Sequence, residues 1–347
     1  MTGRPRVGLY DDPVFREHDS GRGHPERPER LDAVRRGIRE AGLEERVHVL
    51  APRRATREEL LRVHAADHVA LVESTSGSTF RFDPDTQAGP RSCEAAVLAA
   101  GAVADAVDRI LEGSLDRAFC LVRPPGHHAE SNRAMGFCLF NNVAVGAAHA
   151  LAKGLESVLV IDFDVHHGNG TQEIFYEERR VLYISSHAFP FYPGTGAIDE
   201  VGEGPGRGFT VNLPLPNGCG DAEYAHVYRE IVGPVGRAFD PQLVLVSVGF
   251  DPHAADPLAG MAVTEAGFAE LARICLTTAT GAAGGRAIFV LEGGYDLAAL
   301  AASSAAVLRT ILDGATSASI EAAPPRAEAL VGRYRTAFAP FWPVLAG

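Results

Sequence analysis

Lysine is almost absent from this chain. Of its 347 residues, 32 are lysine or arginine, and Lys153 is the single lysine among them. Lys153 lies in AHALAKGLES, a stretch typical of the end of a surface helix. Schiff-base, pyridoxal-phosphate and P-loop chemistry all depend on a lysine, so they have no suitable residue in this sequence.

Cysteine is scarce and shows no pairing pattern. The five cysteines are scattered, odd in number and never spaced as CxxC: Cys93, Cys120, Cys138, Cys219 and Cys275. This pattern argues against a disulfide framework and against metal cages built from thiolates. A metal ion in this protein must therefore be bound by histidine and carboxylate side chains.

Signals for export or membrane insertion are missing as well. The N-terminal MTGRPRVGLYDDP has no apolar signal region, and Asp, Gly or Arg interrupts every long apolar run. We therefore expect a cytoplasmic protein without a membrane partner. The formal net charge of −12 argues against nucleic acid as a direct partner, because phosphate binding relies on clustered Lys and Arg. A cationic partner and a homo-oligomer stay open.

The remaining composition is that of a folded enzyme. Apolar residues are 46% and charged residues 22% of the chain, which allows a sizeable core, and we expect one domain over 1–347. Short β-branched runs predict strands at 7–10, 118–122, 157–163, 180–186, 243–250 and 287–294. Amphipathic stretches predict helices at 29–41, 57–64, 92–112, 141–153, 221–238, 264–283 and 296–313. The alternation predicts an α/β fold, a parallel sheet with helices on both faces, and 202–208 reads as a surface loop.

Polar motifs follow five of the predicted strands at their carboxyl ends. They are RPPGHHA, DVHHGNG, SSHAFPFYPGTG, GFDPHAADPLAG and EGGYD. Open α/β sheets place their ligand sites at this edge. We therefore expect the five loops to converge on one cleft.

A metal site is the first chemistry that these loops predict. Asp162, Asp164 and His166 are spaced by two, so an extended backbone turns all three to one buried face. Adjacent buried carboxylates need a cation, and Asp164, His166 and Asp251 are the best ligands for one. Two Asp and one His leave open positions, as in catalytic zinc sites, and Fe²⁺ would also fit. The alternative is that these aspartates only cap helices or pair with arginines.

Acid–base groups accompany the predicted metal site. Asp162 faces the same way and could orient a histidine or share a monovalent cation with carbonyls near Ser185. His127 and His128 stand in tandem after two prolines and a glycine, an arrangement suited to proton transfer. Tyr295 follows two glycines and could polarise a carbonyl beside the metal, although a packing role is the alternative.

Five motifs together resemble the histone deacetylase superfamily, including bacterial deacetylase-like and acetylpolyamine amidohydrolases. They are RPPGHHA, GFCLFNN, DFDVHHGNG, SVGFD and LEGGYD, and the resemblance runs over about 19–312. It implies the open arginase/deacetylase fold with an eight-stranded parallel sheet. It also implies a zinc ion bound by three residues: Asp164, His166 and Asp251.

The resemblance implies roles for the other site residues. His128 resembles the general base with Asn169 as its partner, His127 backed by Asp162 resembles an electrostatic partner, and Tyr295 takes the carbonyl-polarising role. The wall of a narrow acyl-lysine tunnel is implied for six residues: Gly136, Phe137, Tyr192 or its neighbour Phe191, Leu258 and Gly294. Arg30 resembles the arginine of an acetate-release channel. A structural K⁺ site is implied near four residues: Asp162, Asp164, His166 and Ser185.

Two departures refine the resemblance. Asn169 stands where one branch of the family has aspartate, so HHGNG resembles the class II branch, and a neutral amide raises the imidazole pKa less than a carboxylate would. Leu258 stands where polyamine-specific relatives carry an acidic gatekeeper, which weakens a polyamine interpretation.

The predicted reaction is hydrolysis of an acetyl-lysine-like amide to acetate and a free amine. The substrate is an acylated lysine peptide or a small acylated amine, and an amidohydrolase of acetylpolyamines or biosynthetic intermediates is the first alternative. A catalytically weak acyl-lysine binding module is the second, and Tyr295 argues against it. A binuclear ureohydrolase is the third, but it needs metal-bridging aspartates where HHGNG supplies His and Asn.

Overall fold

Strands and helices alternate along the chain. The structure is a computed structural model that describes residues 4–314 and 323–346. The described strands are β1 Val7–Tyr10, β2 His48–Leu50, β3 Phe80–Arg81, β4 Gln87–Ala88, β5 Arg117–Cys120, β6 Val158–Asp162, β7 Val181–Ala188, β8 Thr210–Leu215, β9 Leu243–Val248 and β10 Ala287–Leu291. The described α-helices are α1 Glu29–Glu40, α2 Arg57–Leu61, α3 Ala66–Ser74, α4 Ser92–Leu111, α5 Asn142–Ala152, α6 Asn169–Phe175, α7 Asp221–Val227, α8 Gly233–Phe239, α9 Glu265–Thr278, α10 Leu297–Asp313 and α11 Pro325–Phe338.

Eight strands form one parallel sheet. Their order is β2-β1-β5-β10-β9-β6-β7-β8, and β3 and β4 form a separate antiparallel pair. Every residue of β6, β9 and β10 is buried, which is why these strands read as nearly continuous apolar runs. The predicted α/β fold with an eight-stranded parallel sheet is confirmed.

The helices fall into two packed groups. Helix α10 packs against α1 and α9, whereas α4 packs against α5 and contacts β5 and β10. The contact between α1 and α10 is close at Gly37, where a Cβ atom would lie 2.1 Å from the carbonyl oxygen of Ala301. The glycine therefore sets the distance between these two helices.

Three of the predicted helices are shorter or less regular than the sequence indicates. The helix predicted over 57–64 ends at Leu61. The stretch predicted as one helix over 221–238 contains a π-helical turn, Tyr228–Val232, between α7 and α8. Pro234 follows this turn and has no N–H to donate to the carbonyl four residues earlier, which disturbs the regular hydrogen-bond ladder. The helix predicted over 264–283 ends at Thr278, before a glycine-containing stretch.

The segment after residue 322 closes the fold. Helix α11 packs against α7, and the Trp342 indole N–H donates to the carbonyl oxygen of Gly208 at 2.9 Å. The loop at 202–208 is therefore only partly exposed, because this segment covers it. Within 4–314 and 323–346, no helix combines the length and the apolar character needed to cross a membrane.

Candidate functional site

One cleft opens where five neighbouring strands end. Strands β5, β10, β9, β6 and β7 are adjacent in the sheet, and the loops after them meet around a cavity of about 80 Å³. Its lining is dominated by predicted site residues: Asp85, Pro125, His127, His128, Gly136, Phe137, His166, Tyr192, Leu258, Gly293 and Tyr295. The structure therefore brings together residues that lie up to 210 positions apart, from Asp85 to Tyr295.

Asp164, His166 and Asp251 form a buried cluster at the cleft. One ligand atom from each lies within 4.8 Å of the others. His166 Nδ1 is 3.1 Å from Asp164 Oδ1 and 3.2 Å from Asp251 Oδ2. Asp251 Oδ2 is buried and accepts no hydrogen bond, because the His166 Nδ1–H bonds to Asp164 Oδ1. Burial, together with the charge of Asp164, raises the pKa of Asp251. An unpartnered buried carboxylate oxygen beside a second carboxylate fits a divalent cation, which would neutralise both.

Glycines allow the strand ends to approach these carboxylates. A Cβ atom at Gly249 would lie 2.1 Å from Asp164 Oδ2, and one at Gly293 would lie 2.1 Å from Asp251 Oδ2. The Gly293 N–H donates to Asp164 Oδ2 at 2.9 Å. The backbone of the loop after β10 thus holds Asp164 directly, which no side chain larger than hydrogen would permit.

Asp162 points away from this cluster and towards His127. Strand β6 ends at Asp162, and the Asp164 N–H folds back to donate to Asp162 Oδ1 at 3.1 Å. The predicted extended backbone over 162–166 is therefore wrong, although Asp164 and His166 still meet. His127 Nδ1 donates to Asp162 Oδ2 at 3.0 Å, and the Tyr183 hydroxyl donates to the same oxygen. Burial lowers the pKa of His127, but the charges of Asp162 and Asp164 outweigh it and raise the value to about 10.

His128 has a different electrostatic setting from its neighbour. The two rings are tilted, with centroids 4.0 Å apart. His128 Nδ1 donates to Asn169 Oδ1 at 2.8 Å. Burial, then the charges of His127 and His166, lower the pKa of His128 well below its ordinary value. The pKa values of the tandem histidines are therefore shifted in opposite directions, up for His127 and down for His128.

Gly136 and Phe137 shape one wall of the cleft through their backbone. Both have positive φ angles, 55° and 71°. A Cβ atom at Gly136 would lie 2.4 Å from the His128 ring, so only glycine fits there. The Phe137 ring meets the Tyr295 ring edge-on at 6.2 Å. Phe137 therefore packs beside Tyr295, the residue that the resemblance predicts to polarise the substrate carbonyl.

Phe191 and Tyr192 occupy different depths. Tyr192 lines the cavity, is 37% exposed and meets His128 edge-on at 5.2 Å. Phe191 stacks on His166 at 5.4 Å. Of the two alternatives for the tunnel wall, Tyr192 faces the opening and Phe191 packs beside the predicted metal ligand. Leu258 lines the cavity as predicted, whereas Gly294 lies one residue beyond the lining Gly293.

Arg30 lies behind Tyr295 rather than in the cleft. It is fully buried, its guanidinium carbon is 5.1 Å from the Tyr295 ring centroid, and its Nε donates to the Gly294 carbonyl at 2.7 Å. Glu26 lies 3.2 Å from Arg30 and also pairs with Arg123. Arg30 does not line the described cavity, so an exit channel past it stays a prediction.

Ser185 lies next to Asp162 in the sheet. The two residues are register partners on β7 and β6, which places backbone carbonyls of both strands together. The Ser185 hydroxyl contacts His187 Nδ1 at 2.9 Å. A potassium ion at this position stays a prediction.

The sequence does not predict a role for three carboxylates that are buried or partly buried near the cleft. Glu292 accepts from Gly126 N and Ser247 Oγ at 2.7 and 3.0 Å. Asp256 Oδ2 accepts from Tyr295 N at 2.6 Å, and Glu130 accepts from Asn169. Glu292 and Asp256 stand inside the quoted motifs LEGGYD and GFDPHAADPLAG, and Glu130 directly follows RPPGHHA. Their position in these motifs was the available signal, but their partners are distant in sequence.

Comparison with known proteins agrees with this geometry. The family model for the histone deacetylase domain matches residues 24–311. Histone deacetylase 15 of Arabidopsis thaliana is 45% identical over 83% of this chain and 53% of its own length. A probable deacetylase of Archaeoglobus fulgidus is 42% identical over 84% of this chain and 82% of its own length. Human polyamine deacetylase HDAC10 is 42% identical over 96% of this chain and 50% of its own length.

Solved structures give the same result. The crystal structure of the HDA15 HD domain superposes with a TM-score of 0.92 at 40% identity, covering 99% of this chain and 96% of that chain. The chain spans about half the length of two of the curated relatives named above. The matched domain contains the whole cleft, from Asp85 to Tyr295. This chain belongs to the histone deacetylase family.

Proposed function

We propose that this chain is a zinc-dependent deacylase that hydrolyses the amide of acetyl-lysine-like substrates to acetate and a free amine. The observation that carries the proposal is the unpartnered Asp251 oxygen in a buried cluster with Asp164 and His166. His166 opens onto the same cavity as His128 and Tyr295. A metal site, a base and a phenol thus share one small space.

Asp164, His166 and Asp251 would hold the metal ion. A bound zinc ion polarises a carbonyl and lowers the pKa of a water molecule, and Fe²⁺ suits the same ligands. Three protein ligands leave a position for water and substrate. The three residues come from the loops after β6 and β9, so the folded sheet fixes their separation.

His128 is the proposed general base. Because its Nδ1 donates to Asn169, its Nε2 carries the lone pair and is free to accept a proton from the attacking water. A lowered pKa keeps His128 neutral before the reaction, as a base must be. The same nitrogen then returns the proton to the leaving amine. His127 stays charged because Asp162 holds it, so it contributes a fixed positive charge beside the reacting carbonyl.

Tyr295 is the proposed donor to the developing oxyanion. Burial raises the pKa of Tyr295 well above its ordinary value, so the phenol keeps its proton and can donate a hydrogen bond. Such a donor contributes when negative charge develops on the carbonyl oxygen. Asp256 and Arg30 hold the Tyr295 backbone and ring from behind.

The cavity favours a slim acyl-amine chain. Phe137 and Tyr192 flank the opening with aromatic rings, and Leu258 places an apolar side chain at the rim. These groups suit the methylene chain of acyl-lysine. The proposal also includes acetate release past Arg30 and a structural K⁺ near Ser185.

An acetylated polyamine is the second candidate substrate. The observation in its favour is the similarity to human polyamine deacetylase HDAC10 over 96% of this chain. Leu258 argues against it, because an apolar side chain does not attract a second ammonium group. The ratio of kcat/KM for an acetyl-lysine peptide and for acetylputrescine separates the two, and we expect the peptide to be preferred.

A deacetylation assay with zinc-loaded protein tests the proposal. We expect Asp251→Ala and Tyr295→Phe to lower kcat at least about 100-fold, because each removes a group that acts in the transition state. Tyr176→Phe, outside the cleft, is the matched control and keeps wild-type activity. Full activity of either cleft variant would contradict the proposal. Two tightly bound transition ions per chain, instead of one, would favour a binuclear ureohydrolase.

A further inference from the structure

The amide of Asn169 is contacted on both sides. Its Oδ1 accepts from His128 Nδ1 at 2.8 Å, and its Nδ2 donates to Glu130 Oε1 at 2.7 Å and to Met135 Sδ at 3.3 Å. Asn169 itself is 5% exposed. Every polar atom of this amide therefore has a partner, and the strongest is the ionised carboxylate.

Only one orientation of this amide satisfies its neighbours. If the amide turned over, its NH₂ group would face the His128 N–H and its carbonyl oxygen would face the Glu130 carboxylate. Both new contacts would be repulsive, and on the buried His128 side water does not replace the lost bond. A carboxylate accepts hydrogen bonds and donates none, so Glu130 fixes which end of Asn169 faces the histidine.

Glu130 is itself held in place by its backbone. Its N–H donates to the Arg133 carbonyl at 3.0 Å, and its own carbonyl accepts from His64 Nδ1 at 3.0 Å. The Arg133 guanidinium lies 3.1 Å from the Glu130 carboxylate on the side near solvent. Glu130 therefore has one partner outside the site and one partner, Asn169, inside it.

We propose that Glu130 is a positioning residue, which orients the Asn169 amide and thereby keeps the proton of His128 on Nδ1, with Nε2 facing the cavity. This inference rests on the proposed function, in which His128 Nε2 accepts the proton of the attacking water. Glu130 touches no reacting atom. It acts through Asn169, so the neutral amide transmits the influence of a carboxylate to the base.

Three substitutions separate orientation from folding. Glu130→Ala removes the acceptor, and we expect kcat to fall about tenfold at unchanged KM, the size typical for groups that orient an active-site residue. Glu130→Gln keeps an acceptor oxygen for Asn169 but can also present its NH₂ group to a turned-over amide, so we expect a loss of kcat smaller than that of Glu130→Ala. Arg133→Ala is the matched control, because it removes only the partner of Glu130 near solvent, and it also stays within about twofold. Melting temperatures check that all three proteins are folded.

An exchange of hydrogen-bond direction provides a sharper test. Asn169→Asp alone places a carboxylate against Glu130, and we expect kcat to fall more than about tenfold. The double variant N169D/E130Q supplies an amide donor to the new carboxylate and recovers most of that loss. Absence of recovery, or a Glu130→Ala enzyme with wild-type kcat, would overturn the inference.

The ¹⁵N signals of His128 provide a readout that does not depend on turnover. In wild type we expect Nδ1 to carry the proton, whereas in E130A both tautomers appear. A single unchanged tautomer in E130A would overturn the inference. Failure of the proposed function is distinguishable from this, because wild-type protein would then lack deacylase activity while its His128 tautomer still responded to Glu130.

Discussion

Glu292 shows how one buried carboxylate can hold a catalytic loop. It is fully buried and accepts hydrogen bonds from Gly126 N, His127 N and Ser247 Oγ. Burial raises the pKa of Glu292 to about 7. The loop that carries the tandem histidines is therefore attached to the end of β10 through a single side chain.

We predict that Glu292→Gln lowers both stability and kcat. The neutral glutamine loses the charge-assisted bonds to Gly126 N and His127 N, and its NH₂ group makes the Ser247 hydroxyl accept instead of donate, so we expect a cost of about 1 kcal/mol in the free energy of unfolding. The loop that carries His127 and His128 shifts, so kcat falls about tenfold. Urea unfolding and steady-state kinetics measure the two effects.

The matched control is Glu270→Gln, also at a buried glutamate but on α9. Glu270 is 1% exposed and pairs with Arg229 and Arg273. We expect Glu270→Gln to lower the free energy of unfolding while kcat stays unchanged. Equal effects of the two variants on kcat would contradict a specific role for Glu292.

At the scale of helices, close packing between α1 and α10 depends on Gly37, which has no side chain. We predict that Gly37→Ala lowers the free energy of unfolding by about 3 kcal/mol, because its Cβ atom would overlap the Ala301 carbonyl. Gly332→Ala on α11 is the opposite control, since nothing lies within 4 Å of its Cβ position. Alanine there should raise stability by about 1 kcal/mol. Chemical denaturation compares both, and equal signs would contradict the prediction.

Helix α2 begins with a capping box whose stability depends on pH. Thr56 and Glu59 exchange hydrogen bonds, and Arg53 Nη1 donates to Glu59 at 2.9 Å. Burial would raise the pKa of Glu59, but the hydrogen bonds from Arg53 and the Thr56 backbone lower it to about 2. Because the folded-state pKa lies below the ordinary 4.5, the ionised form stabilises the folded state above pH 4.5, and this contribution is lost as the pH falls towards 2.

We therefore predict that Glu59→Gln costs about 1 kcal/mol at pH 7 and that this cost disappears near pH 2. Unfolding in urea at a series of pH values measures the difference between the two proteins. The control is Arg109→Gln. Arg109 pairs with Asp105 on the same helix, so this substitution does not affect Glu59. A cost that is the same at pH 2 and pH 7 would contradict the prediction.

The sequence predicts the elements that have a strong periodic signal. Strands β1, β5, β6, β7, β9 and β10 were predicted, whereas β2 and β8 were not. Strand β2 has only three residues and none is buried, and Pro214 in β8 is a residue that argues against a strand. Both are edge strands, but only β2 is exposed, whereas β8 is buried along its length and its signal is interrupted by Pro214.

The site could be predicted as far as its loops carry recognisable motifs. Asp164, His166, Asp251 and Tyr295 each follow a strand and were placed at one cleft. Glu130 was not predicted to contact Asn169, because 39 residues separate them and nothing local indicates the contact. A side chain whose partner is supplied by another loop becomes visible only when the sheet is assembled.

At the scale of the whole molecule, the cleft holds two carboxylates that repel each other. Asp164 and Asp251 lie together in the interior, so a bound cation should stabilise the folded chain. We predict that a chelator lowers the melting temperature of wild type by several degrees. Asp251→Asn removes the repulsion as well as the ligand, so its melting temperature should not respond to chelator and should exceed that of chelated wild type. Calorimetry measures this, and a wild type indifferent to chelator would contradict it.

The order of strands in the sheet has a consequence for how this protein folds during its synthesis. The chain builds β5, β6, β7, β9 and β10 in that sequence, but the sheet arranges them as β5-β10-β9-β6-β7. Of these five strands, β10 is the last to leave the ribosome, and it is inserted next to β5, the first of the five. Until Tyr295 has emerged, the loop that carries His127 and His128 lacks the phenol that the proposed function assigns to the site, so on that proposal a nascent chain that stalls earlier has no deacylase activity.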